Sequence, residues 1–314
     1  MRFAISIPQI FDDGEFDPDA FRAYVRRIEE LGFHSGWTQE QALRINRMPQ
    51  LSALETMTYA AAATERLRLG CSVFVSTLHS PVHLAQAVSS LDQMSRGRVE
   101  VGLGSGGPGR AFAAFGIDPE GYISRFTEGL EVMRRLWSEP SVTFDGRFWQ
   151  LSDARAAARP FQKPGPPVWF GGGHPKALRR AARLADGFFG AGSSTTAAFA
   201  DQVALLRTEL AAAGRDATFG IAKRVYIAID ENPDRARQRI AASLEKLYGT
   251  PKLADVAVTG TVSDCVRGIQ EVIDAGAELL LFTPLFDDRE HLERIAAEVI
   301  PQLSGDTPGT AGPA

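Results

Sequence analysis

Two polar side chains could carry acid–base chemistry in this chain of 314 residues. Glu40 follows a predicted strand at residues 33–38, and His79 lies in a polar corner after a second predicted strand at residues 68–75. A carboxylate at a strand end could accept a proton from a ring N–H or a hydroxyl, or it could cap the following loop. A loop histidine could carry a proton or be a hydrogen-bonded bystander. Both alternatives stay open for both residues on the sequence alone.

Two glycine-rich segments could hold a ligand close to the backbone. Residues 102–107 match the Gly-x-Gly-x-x-Gly dinucleotide fingerprint, but Pro108 follows where that fingerprint needs a helix to begin. This segment predicts either a tight turn or a flat ligand lying against bare peptide groups. The segment Gly171-Gly172-Gly173-His174-Pro175 follows a predicted strand and opens a helix. Its N–H groups favour a phosphate, although a plain loop could have the same sequence.

The elements that position these residues alternate between strand and helix. Eight apolar strand patterns are each followed by apolar residues at helical spacing. The alternation favours a single-domain α/β fold, a closed (β/α)8 TIM barrel with loop insertions at its C-terminal face. An open doubly wound sheet shows the same alternation and is the alternative. The predicted strands span residues 2–7, 33–38, 68–75, 98–103, 168–170, 187–190, 218–229 and 278–283, and the predicted insertions lie at about 107–121, 142–165 and 249–260.

The composition of the chain and its motifs exclude several classes of partner and reaction. A net charge of −4 gives no reason to expect nucleic acid or an anionic membrane as a partner. No stretch approaches a membrane span, and two separate cysteines without metal-ligand spacing suit a cytoplasmic protein. A nucleophile elbow, a metal-spaced cluster and a Walker loop are all missing from the sequence, which disfavours hydrolysis by a serine triad and zinc chemistry. The barrel domain is expected to span residues 1–303, and residues 304–314 are expected to form a disordered tail.

Seven short segments, spread over nearly the whole chain, form a pattern found in one known superfamily. They are Gly32-Phe33 leading to Trp37, Leu69-Gly70-Cys71-Ser72-Val73, Ser80-Pro81-Val82-His83-Leu84-Ala85, Leu91-Asp92-Gln93-Met94-Ser95-Arg96-Gly97-Arg98, Gly102-Leu103-Gly104-Ser105-Gly106, Trp169-Phe170-Gly171-Gly172-Gly173 and Ala185-Asp186-Gly187. In these segments the chain resembles the bacterial luciferase-like superfamily of flavin- and deazaflavin-dependent oxidoreductases. The resemblance implies a (β/α)8 barrel that holds the 8-hydroxy-5-deazaflavin coenzyme F-420, or alternatively FMN, at the C-terminal ends of its strands.

The resemblance also implies where the cofactor lies. A non-proline cis peptide at Ser72-Val73 would form a bulge against its central ring, and no metal is implied. Ser105 and Gly106 would contact the tail of the cofactor, while Gly172 and Gly173 would contact its phosphate. The full set of expected cofactor-binding residues is Gln41, Ser72, Val73, Val75, Ser105, Gly106, Arg110, Gly172, Gly173, His174 and Lys176.

The chain departs from one subgroup of the superfamily at its acid–base positions. The deazaflavin-dependent sugar-phosphate dehydrogenases pair an Asp-His with a later glutamate, whereas the aligned positions here hold Glu40-Gln41 and Gly107. We therefore expect Glu40 or His79 to handle protons in an oxidoreductase that moves a hydride between a small organic substrate and the deazaflavin. The resemblance implies a homodimer. The alternatives are an FMN-dependent monooxygenase fed by a separate reductase and a cofactor-binding protein without turnover.

Overall fold

The computed structural model describes residues 1–11, 15–41, 43, 48–215 and 218–303. The eight predicted strands all form, and three further strands lie among the connections. The expected tail, residues 304–314, lies outside the described residues. In chain order the strands are β1 (Arg2–Ser6), β2 (Ser35–Thr38), β3 (Arg68–Val75), β4 (Val99–Gly104), β5 (Val142–Asp145), β6 (Gln150–Ala154), β7 (Val168–Gly171), β8 (Gly187–Gly190), β9 (Gly220–Ile229), β10 (Val258–Gly260) and β11 (Leu279–Thr283).

Eight of these strands close into a parallel barrel. Hydrogen-bonded neighbours follow the order β1, β2, β3, β4, β7, β8, β9 and β11, and β11 pairs with β1 to complete the ring. The closure confirms the predicted (β/α)8 barrel and rules out the open doubly wound sheet. Because all eight strands run in one direction, their carboxyl ends meet at a single mouth, where barrels bind ligands.

Ten α-helices surround or cap the barrel in the described part of the chain. Most begin where the sequence places a capping residue or a proline. Before the helix at Val262–Asp274, for example, Thr261 and Asp264 form a capping box. None of the described helices is long and apolar enough to cross a membrane. The helices are α1 (Pro18–Glu30), α2 (Ala53–Ala63), α3 (Pro81–Met94), α4 (Arg110–Ala114), α5 (Tyr122–Ser138), α6 (Pro175–Leu184), α7 (Thr196–Ala212), α8 (Pro233–Tyr248), α9 (Val262–Asp274) and α10 (Asp288–Arg294).

The predicted loop insertions contain more regular structure than the sequence suggested. The segment at 142–165 begins with a hairpin, β5 paired with β6, and α4 lies inside the segment at 107–121. The segment at 249–260 holds a 3-10 turn and β10, which extends the sheet beside the upper half of β9. These elements are three to six residues long, too short for a periodic pattern to reveal them.

Aromatic side chains fill the interior of the barrel. Trp37, Trp169 and Phe189 pack together there, with the two indoles edge to face at 6.1 Å between ring centroids. Glycines on neighbouring strands leave room for the indoles: a Cβ on Gly70 would lie 2.4 Å from the Trp37 ring, and one on Gly187 would lie 2.3 Å from the Trp169 ring. The barrel is therefore a packed core, and ligands have access only at its mouth.

Candidate active site at the carboxyl ends of the barrel strands

The end of β3 is irregular. The Ser72-Val73 peptide bond is cis, as the family resemblance implies, and the pairing of β3 with β4 shifts register between Cys71 and Phe74. The Val73 side chain lies against bare backbone on the next two strands, because a Cβ on Gly104 would come within 2.7 Å of it and one on Gly171 within 3.1 Å. The Val73 side chain at the bulge therefore packs against the backbone of Gly104 and Gly171.

A cavity of about 300 Å³ opens beside this bulge, and we call it the ring cleft. Five of the expected cofactor-binding residues line it, together with Phe189, Ala191, Arg224 and further glycines. The volume is within the range of small-molecule sites. Side chains at the glycine positions would occupy the space, so the cleft fits a flat group lying against peptide planes. The five expected residues are Ser72, Val73, Ser105, Gly106 and Gly172, and the further glycines are Gly104, Gly171 and Gly190.

The expected phosphate contacts lie at the start of α6. Gly172 has a φ of 117°, which a residue with a side chain rarely adopts. Gly173 and His174 are exposed, and His174 is the N-cap, with its Nδ1 accepting from the N–H of Lys176 at 3.1 Å. An anion at this helix terminus would meet further N–H groups and the exposed Lys176.

The remaining expected cofactor contacts do not line the ring cleft. The Val75 side chain lies beside Gly106, since a Cβ on that glycine would be 2.6 Å from it. Gln41 is half-buried at the end of the described segment 15–41. Arg110 begins α4, and its side chain lies outside what the structure describes. A cofactor contact from these three residues stays a prediction.

The two expected acid–base residues are in direct contact. His79 Nε2 lies 2.8 Å from Glu40 Oε1, and the second oxygen of Glu40 accepts from the Val75 N–H at 2.6 Å. The carboxylate is mostly buried and the imidazole is one-third exposed. His79 also packs edge to face on Phe74. The pair can pass a proton between carboxylate and imidazole, and it holds the backbone two residues after the bulge.

A second cavity of about 320 Å³ opens at the ends of β1, β2 and β11, under α8, and we call it the lateral cavity. Its walls combine apolar side chains, among them Ile10, Leu247 and Phe286, with polar and charged ones that include Lys246 and Asp288. Arg224 is the described residue that lines both cavities. The mouth of the barrel therefore offers two neighbouring compartments separated by one guanidinium group.

Two functional candidates on β9 were missed by the sequence analysis. Lys223 and Arg224 are both buried, the first donating to Ala191 O and Ser194 O, the second to Ser72 and Gln39. Burial and, to a smaller extent, the charge of Arg224 together lower the pKa of Lys223 to about 8. The signal was present, because two adjacent cations interrupt an otherwise apolar run at 219–229, where barrel strands are normally apolar.

Comparisons with known proteins agree with this geometry. A sequence profile of the luciferase-like monooxygenase family matches residues 1–283. The F420-dependent glucose-6-phosphate dehydrogenase of Amycolatopsis mediterranei is 27% identical over 92% of this chain and 96% of that protein. The monooxygenase RslO1 from Streptomyces bottropensis superposes with a TM-score of 0.83 at 23% identity, covering 96% of this chain and 99% of that one. An F420-dependent secondary alcohol dehydrogenase superposes with a TM-score of 0.83 at 19% identity, over 96% and 98% of the two chains.

The two solved structures share the fold, while the profile match covers the sequence of the whole barrel. Its limit at residue 283 coincides with the end of β11, the last strand of the barrel. Both the β3 bulge and the glycines of the ring cleft fall inside the matched range. The chain therefore belongs to the luciferase-like monooxygenase family.

Proposed function

We propose that this protein is an oxidoreductase that transfers a hydride between a small organic substrate and bound coenzyme F-420. The observation that carries the proposal is the ring cleft, where the Ser72-Val73 bulge faces glycine backbone on the next two strands, at Gly104 and Gly171. The F420-dependent relative, aligned over 92% of this chain, favours the deazaflavin over FMN. The fold-level likeness to a monooxygenase keeps FMN as the alternative.

The residues present fit a deazaflavin. Gly104, Gly106 and Gly171 leave a flat wall for a ring, and the Ser105 hydroxyl and nearby backbone offer polar contacts to its tail. The start of α6 offers N–H groups and Lys176 to a phosphate. When bound, the deazaflavin supplies the hydride chemistry, and the protein supplies orientation and electrostatics.

The Glu40–His79 pair is the proposed proton carrier. When an alcohol is oxidised by hydride transfer, its hydroxyl proton must leave as well, and a base within reach of the substrate accelerates this step. Glu40 Oε1 accepts a hydrogen bond from His79 Nε2 and so orients the imidazole. The imidazole is partly exposed and can exchange a proton with solvent. In the opposite direction the same pair returns the proton to a carbonyl oxygen.

The lateral cavity is the proposed substrate site. It adjoins the ring cleft at Arg224, so a substrate held there would lie next to the bulge. Gln41 and Gly107 stand where sugar-phosphate dehydrogenases of the superfamily carry acid–base residues, and they favour a substrate other than glucose 6-phosphate. The mixed walls, with Ile10 and Phe286 beside polar groups such as Gln39 and Lys246, suit an alcohol or carbonyl compound that has both apolar and polar parts.

Titration with each cofactor tests the proposal. The purified protein is mixed with F-420 and, separately, with FMN, and binding is followed by cofactor fluorescence. We expect tighter binding of F-420, and bleaching of its absorbance when a set of small alcohols is added. Tighter binding of FMN would favour the monooxygenase. A third outcome is tight binding of F-420 in which no alcohol bleaches the oxidised form and no carbonyl compound re-oxidises the reduced form. That outcome would favour a cofactor-binding protein without turnover.

The assembly state and location belong to the same proposal. The family resemblance alone supports a homodimer, and sedimentation velocity of the purified protein measures it directly. Cys71 and Cys265 are buried and unpaired, which suits a reducing compartment such as the cytoplasm. Fractionation of cells that express the full chain tests that location.

A further inference from the structure

Arg224 is a buried cation whose hydrogen-bond partners in the described part of the chain are all uncharged. Only 8% of the residue is exposed. One guanidinium nitrogen donates to Gln39 Oε1 at 2.5 Å, and another donates to Ser72 O at 3.1 Å and Ser72 Oγ at 2.8 Å. Glu40 is the next residue after Gln39, but both of its oxygens are engaged, by Val75 and by His79. Arg224 therefore forms no ion pair with any described residue, and the Glu40 carboxylate accepts its hydrogen bonds from other groups.

A second buried cation reinforces the positive charge. Lys223, which is 3% exposed, donates to the carbonyl oxygens of Ala191 and Ser194 and to the Ser194 hydroxyl. These partners are neutral as well. Burying a charge without an opposite charge costs several kcal/mol, and an anionic ligand would offset that cost. Arg224 lines the ring cleft, and Lys223 lies behind it, bonded to the cleft residue Ala191, so both charges favour a negative charge in the cleft.

The position of Arg224 identifies which ligand supplies that negative charge. Its guanidinium lines the ring cleft and is hydrogen-bonded to Ser72, one half of the cis peptide at the bulge. We propose that Arg224 is the counter-cation of the cofactor's ring and that it favours the anionic form of the bound ring over the neutral form. This inference rests on the proposed function, because it requires the ring cleft to hold a deazaflavin or a flavin.

The chemistry of the ring fits this role. The 8-hydroxyl group of the deazaflavin can lose a proton, which leaves the negative charge delocalised over the ring. A hydride carries two electrons with its proton, so accepting one also adds a negative charge to the ring. In both cases the cation held at Ser72 would stabilise the charge without any movement of the protein.

A pH titration of the bound, oxidised cofactor tests the inference. Ionisation of the ring changes its absorbance, so the pH at half-ionisation is read directly from the spectrum. The variants R224Q and R224M remove the charge, R224K keeps it, and R155Q removes an exposed arginine on the segment after the hairpin. Substrate is absent throughout, so a charge on the substrate cannot contribute. If FMN is the cofactor that binds, the same titration follows its ring N–H.

We expect the midpoint of the wild-type protein to lie at least about one pH unit below those of R224Q and R224M, a tenfold preference for the anion. The R224K and R155Q proteins should keep most of the wild-type preference. Equal midpoints in the wild type and the charge-removing variants would overturn the inference and leave the proposed function standing. A midpoint in the wild type no lower than that of free cofactor would overturn it even if no variant folds. If the wild type binds neither cofactor, both proposals fall.

Discussion

Glu40 and His79 are hydrogen-bonded at 2.8 Å across 39 positions of the chain. The contact joins the loop after β2 to the loop after β3, at the mouth of the barrel. It brings together the two side chains for which the sequence left a catalytic and a structural role open. Because Glu40 also binds the Val75 N–H, variants at the pair must separate a proton-transfer role from a positioning role.

Replacing Glu40 by Gln should separate these roles. The amide oxygen can still accept from the Val75 N–H, but the side chain can no longer take up a proton. We expect turnover with the substrate found by screening to fall by between about a hundredfold and ten-thousandfold, with cofactor affinity little changed. The turnover of H79N should fall by a similar factor. The double variant with E40Q and H79N should be no slower than either single variant, since the two residues act as a unit. Unchanged turnover in E40Q and H79N, measured beside the control H83Q on exposed His83, would remove both residues from the mechanism.

Replacing Gly171 by Ala should weaken cofactor binding and leave stability nearly unchanged. The added methyl would sit 3.1 Å from Val73, within the ring cleft, where it would occupy space meant for the ring. We expect a loss of affinity of about tenfold or more, because a methyl group that overpacks the bound ring costs about 1–3 kcal/mol of binding free energy. Fluorescence titration measures the affinity, and thermal unfolding of the apoprotein measures the stability. Wild-type affinity in G171A would show that the ring lies elsewhere.

Replacing Gly70 by Ala should destabilise the barrel. Its Cβ would lie 2.4 Å from the Trp37 ring, which is fully buried and cannot move aside. We expect a loss of about 1–3 kcal/mol in the free energy of unfolding, measured by urea denaturation. The matched control is G107A, because a Cβ on Gly107 meets nothing within 4 Å. The prediction fails if both variants unfold at the same urea concentration.

The stability of the protein should fall in mild acid because of His34. The pKa of this histidine is lowered to about 4, chiefly by burial; Glu100 opposes the shift, and Arg2 and Arg68 add to it. The unfolded chain therefore takes up the proton first, so stability is lost as the pH falls from 6.5 towards 4.

The variant H34Q should lose about 1–3 kcal/mol less than the wild type over that pH range, because glutamine does not titrate. Its amide can replace the 3.0 Å contact that the imidazole makes with Ser35 Oγ. Urea denaturation at several pH values measures the difference. Parallel pH profiles for the wild type and H34Q would show that His34 does not contribute.

The sequence predicted those parts of the molecule that depend on local patterns. The start of the helix at Pro175 was predicted to the residue, because a proline fits the first helical position, where no N–H is needed. The contact of Glu40 with His79 was not predictable, since it depends on how two loops meet across the barrel mouth. Arg224 was missed because its role depends on burial and on Ser72, which lies 152 positions away. The geometry of the site depends on contacts between segments that are distant in the sequence, and local periodicity does not predict such contacts.

The ring cleft and the lateral cavity have one described lining residue in common, Arg224. Two ligands that occupy them would approach from different sides, one across β4 and β7 and the other across β1 and β11. Neither would need to depart before the other could be exchanged. Steady-state kinetics would then show random-order addition, with intersecting double-reciprocal plots and no compulsory leading reactant.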